Sequence, residues 1–298
     1  LEPCSHWGKS PPCADAVVAA GIARVVVACD DPDPRVSGRG YDRLRAAGIT
    51  VVRGVLTEAA RDGLAGFFSR IERGRPRVLL KLAISADGMI GRPGVANFPI
   101  TGPAARARAQ IMRAEADAIA VGIGTASVDD PELTVRLPGM AHFSPTRVVF
   151  DRTARLAPES RLVRSAHDHA LRLIVGEDAP EARRRTLAAL GVEVLPVPLG
   201  PGGRLDLAAA LTRLAEAGGG DLMVEGGADL AESLLRAGLV DRLALFRSAV
   251  VVGEGGVAAP PALATALDPA APTFACTARE RVGDDLLEIW DAVRRPAS

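Results

Sequence analysis

MRAEADAIAVGIGTASVDDPELTVR, residues 112–136, carries the pattern that decides the fold. A charged segment typical of a helix leads into the apolar run DAIAVGI, which is typical of a buried strand. The strand ends on Gly122, Gly124 and Thr125, and an exit of this kind allows backbone amides to approach a phosphate closely. The charged loop DDPELTVR that follows is either a solvated connection or part of a site, since α/β sheets bind ligands at loops after parallel strands.

The same alternation of strands and helices continues on both sides of this stretch. Further strands are predicted at 78–85, 147–151, 171–176, 192–197 and 221–226, with helices at 103–115, 181–190, 206–217 and 228–238. Alternation of this kind predicts an α/β fold whose mostly parallel sheet is covered by helices on both faces. The last sixty residues differ: 240–253 and 284–293 are predicted as antiparallel strands with little helix between them.

The first seventy residues form a shorter α/β pattern of their own. Helices are predicted at 13–23 and 41–48, strands at 24–29 and 49–55, and one amphipathic helix at 57–74. The basic, proline-containing stretch RGRPR, residues 73–77, then marks the expected boundary. The sequence therefore predicts a first domain at 1–73, a linker at 74–77 and a second domain at 78–298.

The composition excludes several classes of protein. Lys and Arg total 36, equal to Asp and Glu, so the basic surplus of a nucleic-acid binder is missing. No apolar run approaches the roughly 20 residues needed to cross a bilayer. Four scattered cysteines are too few for a disulfide framework and favour a reducing, cytoplasmic setting. We therefore expect no nucleic-acid partner and no membrane association.

The opening loop LEPCSHWGKSPPC contains two cysteines, Cys4 and Cys13, each preceded by proline. Zinc deaminases of bases and nucleosides hold their metal with one His or Cys and two cysteines, while a Glu moves the proton. By itself this loop indicates either half of such a zinc site or two ordinary small residues in a loop.

Two further stretches place polar groups at strand ends. In MVEGGADLAESLL, residues 223–235, a strand delivers Glu225, two glycines turn the chain, and a helix N-terminus follows. Exposed amides and the positive helix end form an anion site, although glycines can serve the turn alone. In KLAISADG the strand ends at Ser85 and Asp87, which is either a simple turn or the edge of a site.

In this order the motifs are similar to a known family. EPCSHWGKSPPCADA and residues 21–49 resemble the deaminase half of the bifunctional deaminase–reductase of riboflavin biosynthesis. LKLAISADG, RAEADAIAVGIGT, DDPELTVR, RVVFD and MVEGGADLAESLLRAGLVD resemble its reductase half. The resemblance implies a truncated cytidine-deaminase-like α/β/α domain followed by a dihydrofolate-reductase-like α/β domain with a mostly parallel sheet and antiparallel C-terminal strands.

For the first half, the resemblance implies that Cys4 and Cys13 are two of three zinc ligands, Zn²⁺ being the cofactor. It also implies that Val36–Gly40 contributes to a pyrimidine-phosphate pocket. The third ligand and the catalytic Glu belong to a His-Ala-Glu segment that this sequence does not contain. We therefore expect an incomplete zinc site and no deamination by this chain.

For the second half, the resemblance implies that NADPH reduces the ribosyl group of a pyrimidine ribosylamine phosphate to a ribityl chain. The implied cofactor-binding residues are Ile84, Pro99, Thr125, Asp129, Gly227, Ala228, Asp229, Leu230, Ala231, Glu232 and Ser233. The implied substrate-binding residues are Asn97, Arg113, Leu133, Arg136 and Glu225. The two arginines suit the phosphate, Glu225 suits amino or imino groups, and Glu225 and Asp87 are the catalytic candidates.

The chain departs from the family at two positions. Pro99 stands where a tryptophan is frequent, so that Phe98 is the remaining aromatic neighbour for the nicotinamide. Arg152 stands where serine is common, and we hypothesise that it binds the 2′-phosphate that distinguishes NADPH from NADH.

Two other functions and one assembly were considered. The chain could be a nucleic-acid-editing zinc deaminase with an accessory domain, which its neutral charge disfavours, or a non-catalytic relative. By resemblance we also expect a homodimer formed through the edge strands of the reductase domain.

Overall fold

The computed structural model describes residues 1–293. The chain divides into two units, Leu1–Arg75 and Pro76–Ser298. The last five residues of the predicted second domain lie outside the described part. No helix between residues 1 and 293 has both the length and the apolar character needed to cross a membrane.

The first unit contains four helices and two strands among its residues. They are α1 (Cys13–Ala19), β1 (Arg24–Val27), α2 (Arg39–Ala46), β2 (Thr50–Arg53), α3 (Thr57–Gly63) and α4 (Ala65–Arg73). β1 and β2 pair in parallel, and Ala14, Leu44 and Ile49 form the buried centre of this unit.

The prediction of one helix over 57–74 was wrong. The helix is interrupted at Leu64, whose φ of −117° and ψ of 18° depart from helical values. Gly63, immediately before Leu64, is among the poorest helix formers, which favours a break at this point. The amphipathic pattern continues on both sides of the break, so periodicity alone predicts one helix.

The second unit is built around a nine-stranded sheet. Its elements are β3 (Arg77–Ile84), β4 (Met89–Gly91), α5 (Pro103–Glu115), β5 (Ala118–Gly122), α6 (Ile123–Asp129), β6 (Thr146–Phe150), α7 (Arg161–Arg164), β7 (Leu171–Gly176), α8 (Glu181–Ala189), β8 (Glu193–Val197), α9 (Leu207–Glu216), β9 (Asp221–Glu225), α10 (Ala228–Arg236), β10 (Arg242–Arg247), β11 (Val257–Ala258), α11 (Pro261–Ala266), β12 (Phe274–Val282) and β13 (Asp285–Ala292). The sheet order is β12-β13-β10-β3-β9-β5-β6-β7-β8, and β4 pairs separately with β11.

The strands from β10 to β8 run parallel, whereas β13 and β12 are antiparallel. The predicted parallel sheet with antiparallel C-terminal strands is confirmed. β9 lies between β3 and β5, and the chain then crosses to β10 on the other side of β3. The direction of strand addition reverses at this point, where sheets of this kind open a crevice at their carboxyl ends.

The two faces of the sheet have separate cores, and the period of two along each strand assigns residues to them. Val78, Leu80, Leu82 and Ile84 of β3 pack on one face with α9, α10 and α11. Leu79 and Ala83 point to the other face, where α5 supplies Ala105, Ala109 and Met112. Lys81 has the same parity as Leu79 and Ala83, so it points toward the α5 face.

The Gly-x-Gly-Thr exit from β5 forms the start of α6, since Gly122 precedes the helix and Gly124 lies inside it. Two local predictions in the second unit were wrong. The strand predicted at 240–253 ends at Arg247, which pairs with Ile84 at the end of β3 and with Leu286 near the start of β13, so neither neighbour continues far beyond it. The amides of Val252 and Gly253 donate to Asp87 instead of to a strand.

The second error concerns the C-terminal region, where α11 and β12 were missed. β12 is an edge strand whose residues from Ala275 to Glu280 are all exposed, so it lacks the apolar alternation that marks a half-buried strand. Gly283, with φ of +66°, helps to form the tight turn that joins it to β13.

Candidate active site

Two adjoining clefts lie in the second unit at the carboxyl ends of its central strands. The larger cleft has a volume of about 790 Å³ and is lined from β3, α5, the end of β9 and the loop 129–136. The smaller cleft, of about 460 Å³, is lined from the ends of β4, β5 and β9 and from the start of α10. Both clefts are lined by the residues Ile90, Asn97, Phe98, Asp129 and Gly226.

A cluster of three charged side chains forms part of the wall of the larger cleft. Lys81 on β3 lies directly opposite Glu225 on β9 in the parallel register. From α5, Arg113 donates Nε to Glu225 Oε1 at 2.6 Å and Nη2 to Oε2 at 2.7 Å, a bidentate pair. The Arg113 and Glu225 side chains are only 12% and 13% exposed, so water screens this pair weakly.

The cluster keeps the Glu225 carboxyl ionised. Burial raises its pKa, but the charge and hydrogen bonds of Arg113, together with the charge of Lys81, outweigh burial and hold the pKa below its usual range. Burial lowers the pKa of the Lys81 ammonium, although the nearby Glu225 carboxylate opposes that shift. The cleft therefore presents a fixed carboxylate beside a lysine with a depressed pKa.

All five residues implied to bind substrate line the larger cleft: Asn97, Arg113, Leu133, Arg136 and Glu225. Asn97 and Leu133 adopt left-handed backbone conformations, with φ of +52° and +56°. Such conformations are costly for residues other than glycine and tend to occur where a site demands them. Asp129 accepts from the Asn97 amide at 2.9 Å and holds one of these turns in place.

The residues implied to bind cofactor divide between several environments. Thr125, Asp129, Gly227, Ala228, Asp229 and Leu230 line the smaller cleft. Pro99 lines the larger cleft, and Phe98 lines both. Ile84 and Ala231 are buried in the apolar core and line neither.

Two residues of α10 also point away from the clefts. Glu232 accepts from the backbone amide of Ala262 at 2.8 Å and from Arg236. Ser233 accepts from Arg204 at 3.2 Å and donates to the carbonyl of Asp229. Only the first turn of α10 therefore lies at the smaller cleft.

Asp87 and Arg152 lie outside both clefts. Asp87 accepts from Ser85 Oγ at 2.6 Å and from the amides of Val252 and Gly253, and these hydrogen bonds lower its pKa to about 2. Arg152 forms a 2.6 Å ion pair with Asp178. Asp87 therefore acts here as an anchor for the segment after β10.

Lys81 is a charged side chain of the larger cleft that the sequence reasoning did not single out. A pattern that could have found it is the stretch VLLKLAI itself, in which a lysine interrupts a strand that is otherwise apolar on both faces. Lysine is almost never buried without a partner, so a charge in such a strand indicates a site.

The structure brings the two cysteines of the first unit, Cys4 and Cys13, together. The Cys13 amide donates to Cys4 Sγ at 3.2 Å, and the hydrogen bond between the two thiols raises the pKa of Cys13. Among residues 1–293, no group of three or more His, Cys, Asp or Glu side chains could hold a metal ion. Two thiols supply only part of the ligand set of a zinc site, which has at least three protein ligands.

The glycine-containing segment Val36–Gly40 binds a side chain of this chain, that of Glu2. The buried carboxylate of Glu2 accepts from the amides of Gly38, Gly40 and Tyr41, at the N-terminus of α2. A Cβ on Gly40 would lie 2.0 Å from the Pro3 carbonyl oxygen, so glycine is required there. These amides bind a carboxylate at the place where the resemblance implies a pocket.

Comparison with known proteins agrees with this architecture. The sequence model of the RibD C-terminal domain matches residues 76–287. The riboflavin biosynthesis protein RibD of Escherichia coli is 36% identical over 299 residues, covering 96% of this chain and 79% of that protein. Acinetobacter baumannii RibD superposes with a TM-score of 0.84 at 30% identity, covering 99% of this chain and 80% of that one.

A third relative is a Thermotoga maritima structure. It is the structure of a diaminohydroxyphosphoribosylaminopyrimidine deaminase/5-amino-6-(5-phosphoribosylamino)uracil reductase. It superposes with a TM-score of 0.80 at 29% identity, covering 98% of this chain and 78% of that one. The predicted family is thereby confirmed. With a matching domain model, a 36% identical relative and two superposable structures, this chain belongs to the RibD family of riboflavin biosynthesis enzymes.

Proposed function

We propose that this chain reduces the ribosyl group of 5-amino-6-(5-phosphoribosylamino)uracil to the ribityl product with NADPH. The observation that carries the proposal is the pair of adjoining clefts. One contains a buried, ionised carboxylate fixed by an arginine, and the other contains a helix N-terminus. This pairing suits a polar substrate held beside a phosphate-bearing cofactor.

The smaller cleft fits the cofactor. Gly226 and Gly227 have φ of +67° and +79°, and a Cβ on Gly227 would lie 3.0 Å from Thr125 Oγ1. Glycine there lets the chain turn sharply into α10, whose first amides and positive dipole end suit a pyrophosphate. When bound there, NADPH supplies a hydride.

The larger cleft fits the substrate. Glu225 can only accept hydrogen bonds when it is ionised, and Arg113 holds both of its oxygens in place. It therefore suits the amino groups of the aminouracil and stabilises the positive charge of a protonated imine formed when the ribose ring opens. When it is protonated, Lys81 supplies only donors, which suits a keto oxygen of the pyrimidine.

The test is NADPH oxidation by the purified chain, followed by absorbance, with 5-amino-6-(5-phosphoribosylamino)uracil as substrate. We expect turnover with this compound. The control is the preceding pyrimidine intermediate, which still carries the amino group that deamination removes. Absence of both turnover and NADPH binding would overturn the reductase proposal.

A preference for NADPH over NADH is assigned to Arg152. Its guanidinium pairs with Asp178 outside both clefts, so its contact with a 2′-phosphate stays a prediction. A guanidinium that gives up a carboxylate partner can bind a phosphate with the same donors. Arg152→Ala should reduce the NADPH/NADH ratio of kcat/KM, whereas the neighbouring Arg155→Ala should not; an unchanged ratio in Arg152→Ala sinks the assignment.

The metal, the cellular location and the oligomeric state are further predictions for this chain. Zinc binding at Cys4 and Cys13 and a cytoplasmic location stay predictions, and we assign no deamination step to residues 1–293. A homodimer through the exposed edge strand β12 also stays a prediction. The neutral charge continues to disfavour a nucleic-acid-editing enzyme.

A further inference from the structure

Three charged side chains lie together at the wall of the larger cleft formed by the loop after α6 and by α7. Arg136 and Arg161 line this cleft, and so does Glu132. Glu132 Oε1 pairs with Nη2 of Arg161, while its Oε2 lies 3.8 Å from Nη1 of Arg136. One carboxylate therefore faces two guanidinium groups, one with each oxygen.

The cluster also follows from how Arg113 is used. Both oxygens of Glu225 are already bound by Arg113, which donates its third hydrogen bond to the Thr134 carbonyl at 3.0 Å. Arg113 is thus committed to protein groups, and a phosphate in this cleft needs other cations. Arg136 and Arg161 are the candidates, because their side chains are 56% and 50% exposed and their charge exceeds that of Glu132.

On the basis of the proposed function, we propose that Arg161 binds the 5′-phosphate of the substrate together with Arg136, and that the phosphate displaces Glu132 from the two guanidinium groups. Guanidinium binds carboxylate and phosphate with the same fork of donors, so the carboxylate occupies the position of a phosphate. An exposed ion pair of this kind contributes little stability and is readily exchanged for a dianion.

Hydrogen bonds hold the backbone at Arg161 and at the loop that carries Glu132. The Arg161 amide donates to Asp130 Oδ1 at 2.9 Å. The fully buried Arg147 donates to Ser165 Oγ at 2.7 Å, to the Leu162 carbonyl at 3.2 Å and to the Glu132 carbonyl at 3.4 Å. Arg147 thereby connects α7 to the loop that carries Glu132.

The kinetic test compares the phosphorylated substrate with its dephosphorylated counterpart. Arg161→Ala should raise KM for the phosphorylated substrate on the order of tenfold, with little change in KM for the dephosphorylated one or in kcat. The matched control is Arg164→Ala, which removes the same charge from the same helix but does not line the larger cleft. Equal KM values for Arg161→Ala and Arg164→Ala would overturn the proposal.

Glu132→Gln tests the displacement. Removing the competing charge should lower KM for the phosphorylated substrate a few-fold, whereas a purely structural Glu132 would leave KM unchanged or raise it.

A binding measurement separates this inference from the reductase proposal. Calorimetry with ribose 5-phosphate and with ribose should detect binding of only the phosphorylated sugar to the unmodified chain and to Arg164→Ala, and a clear loss in Arg161→Ala. If the unmodified chain lacks NADPH turnover but binds ribose 5-phosphate through Arg161, the phosphate site stands and the reductase proposal falls. Absence of ribose 5-phosphate binding, or binding unaffected by Arg161→Ala, contradicts the phosphate site.

Discussion

At the scale of single residues, the site depends on charges that are held in an environment with little water. Lys81 and Glu225 are cross-strand neighbours, and Arg113 reaches Glu225 from the helix above the same face of the sheet. The bidentate geometry keeps the carboxylate ionised and oriented. Removing one partner of such a pair leaves the other buried without compensation, so the cluster acts as a unit.

Replacing Glu225 by Gln tests this unit. The amide keeps the shape but loses the negative charge, so we expect kcat/KM for NADPH oxidation to fall by about a hundredfold or more, as when a group that stabilises developing charge is removed. The matched control is Glu193→Gln. Glu193 on β8 pairs at 2.8 Å with Arg172 on β7, and both residues lie outside the two clefts. Similar losses in both variants would contradict a catalytic role of Glu225.

Asp87 predicts a pH dependence of stability. Its pKa is lowered to about 2 from 3.8 by hydrogen bonds from Ser85, Gly253 and Val252, so its contribution is fully present above about pH 4. The contribution is lost as the pH falls from about 4 toward about 2.

Urea unfolding of the unmodified chain and of Asp87→Asn at several pH values checks this dependence. The difference in unfolding free energy between the two proteins should be constant near neutral pH and shrink as the pH falls through that interval. A difference that does not change with pH would show that Asp87 is not an ionised anchor.

At the scale of elements, the turn from β9 into α10 determines the smaller cleft. Two consecutive glycines in left-handed conformations allow the strand to end at Glu225 and the helix to begin at Ala228. The turn thus brings the carboxylate and the helix N-terminus to the junction of the two clefts. Thr125, from the first turn of α6, closes the space beside Gly227.

Gly227→Ala and Gly238→Ala separate backbone strain from the loss of the cofactor site. Both glycines have positive φ, +79° and +63°, so each substitution should destabilise the fold by about 1 kcal/mol. A Cβ at Gly227 meets Thr125, whereas no atom lies within 4 Å of a Cβ at Gly238. Only Gly227→Ala should raise KM for NADPH, measured in the oxidation assay; equal KM values in the two variants would contradict the placement of the cofactor.

At the scale of the whole molecule, every residue that lines the two clefts belongs to the second unit. This unit has its own sheet and its own cores on both faces. A unit with a separate core is expected to fold alone.

A chain consisting of residues 76–298 should therefore oxidise NADPH with a kcat within about threefold of that of the longer chain, since domains with their own core keep their sites. Circular dichroism of the shorter chain confirms that it is folded. A folded but inactive shorter chain would show that residues 1–75 contribute to the reductase.

The predicted homodimer belongs to the same scale. β12 is an edge strand with exposed residues on both faces, and unpaired edges readily add a second strand. Light scattering should give twice the 30.9 kDa mass of the chain. Ala278→Glu in the middle of β12 should return it to a single mass, and a dimer that survives this change forms through another surface.

The sequence by itself determined the class of fold, the parallel order implied by alternating strands and helices, and the family to which the chain belongs. These features are local, because apolar periodicity and glycine positions act over a few neighbouring residues. The edge strand β12 was not predicted because its exposed residues show no apolar alternation. The break at Leu64 was not predicted because a single poor helix former does not change the periodic pattern.

Only the tertiary structure decided which charges meet. Arg113 and Glu225 are separated by 112 positions, and Asp87 and Gly253 by 166, so no local pattern pairs them. The period of two predicts that Lys81 and Glu225 each face one side of a strand, but not that β3 and β9 are neighbours. The order of strands in the sheet therefore converts separate motifs into one site, because it places their charged side chains on the same face beneath α5.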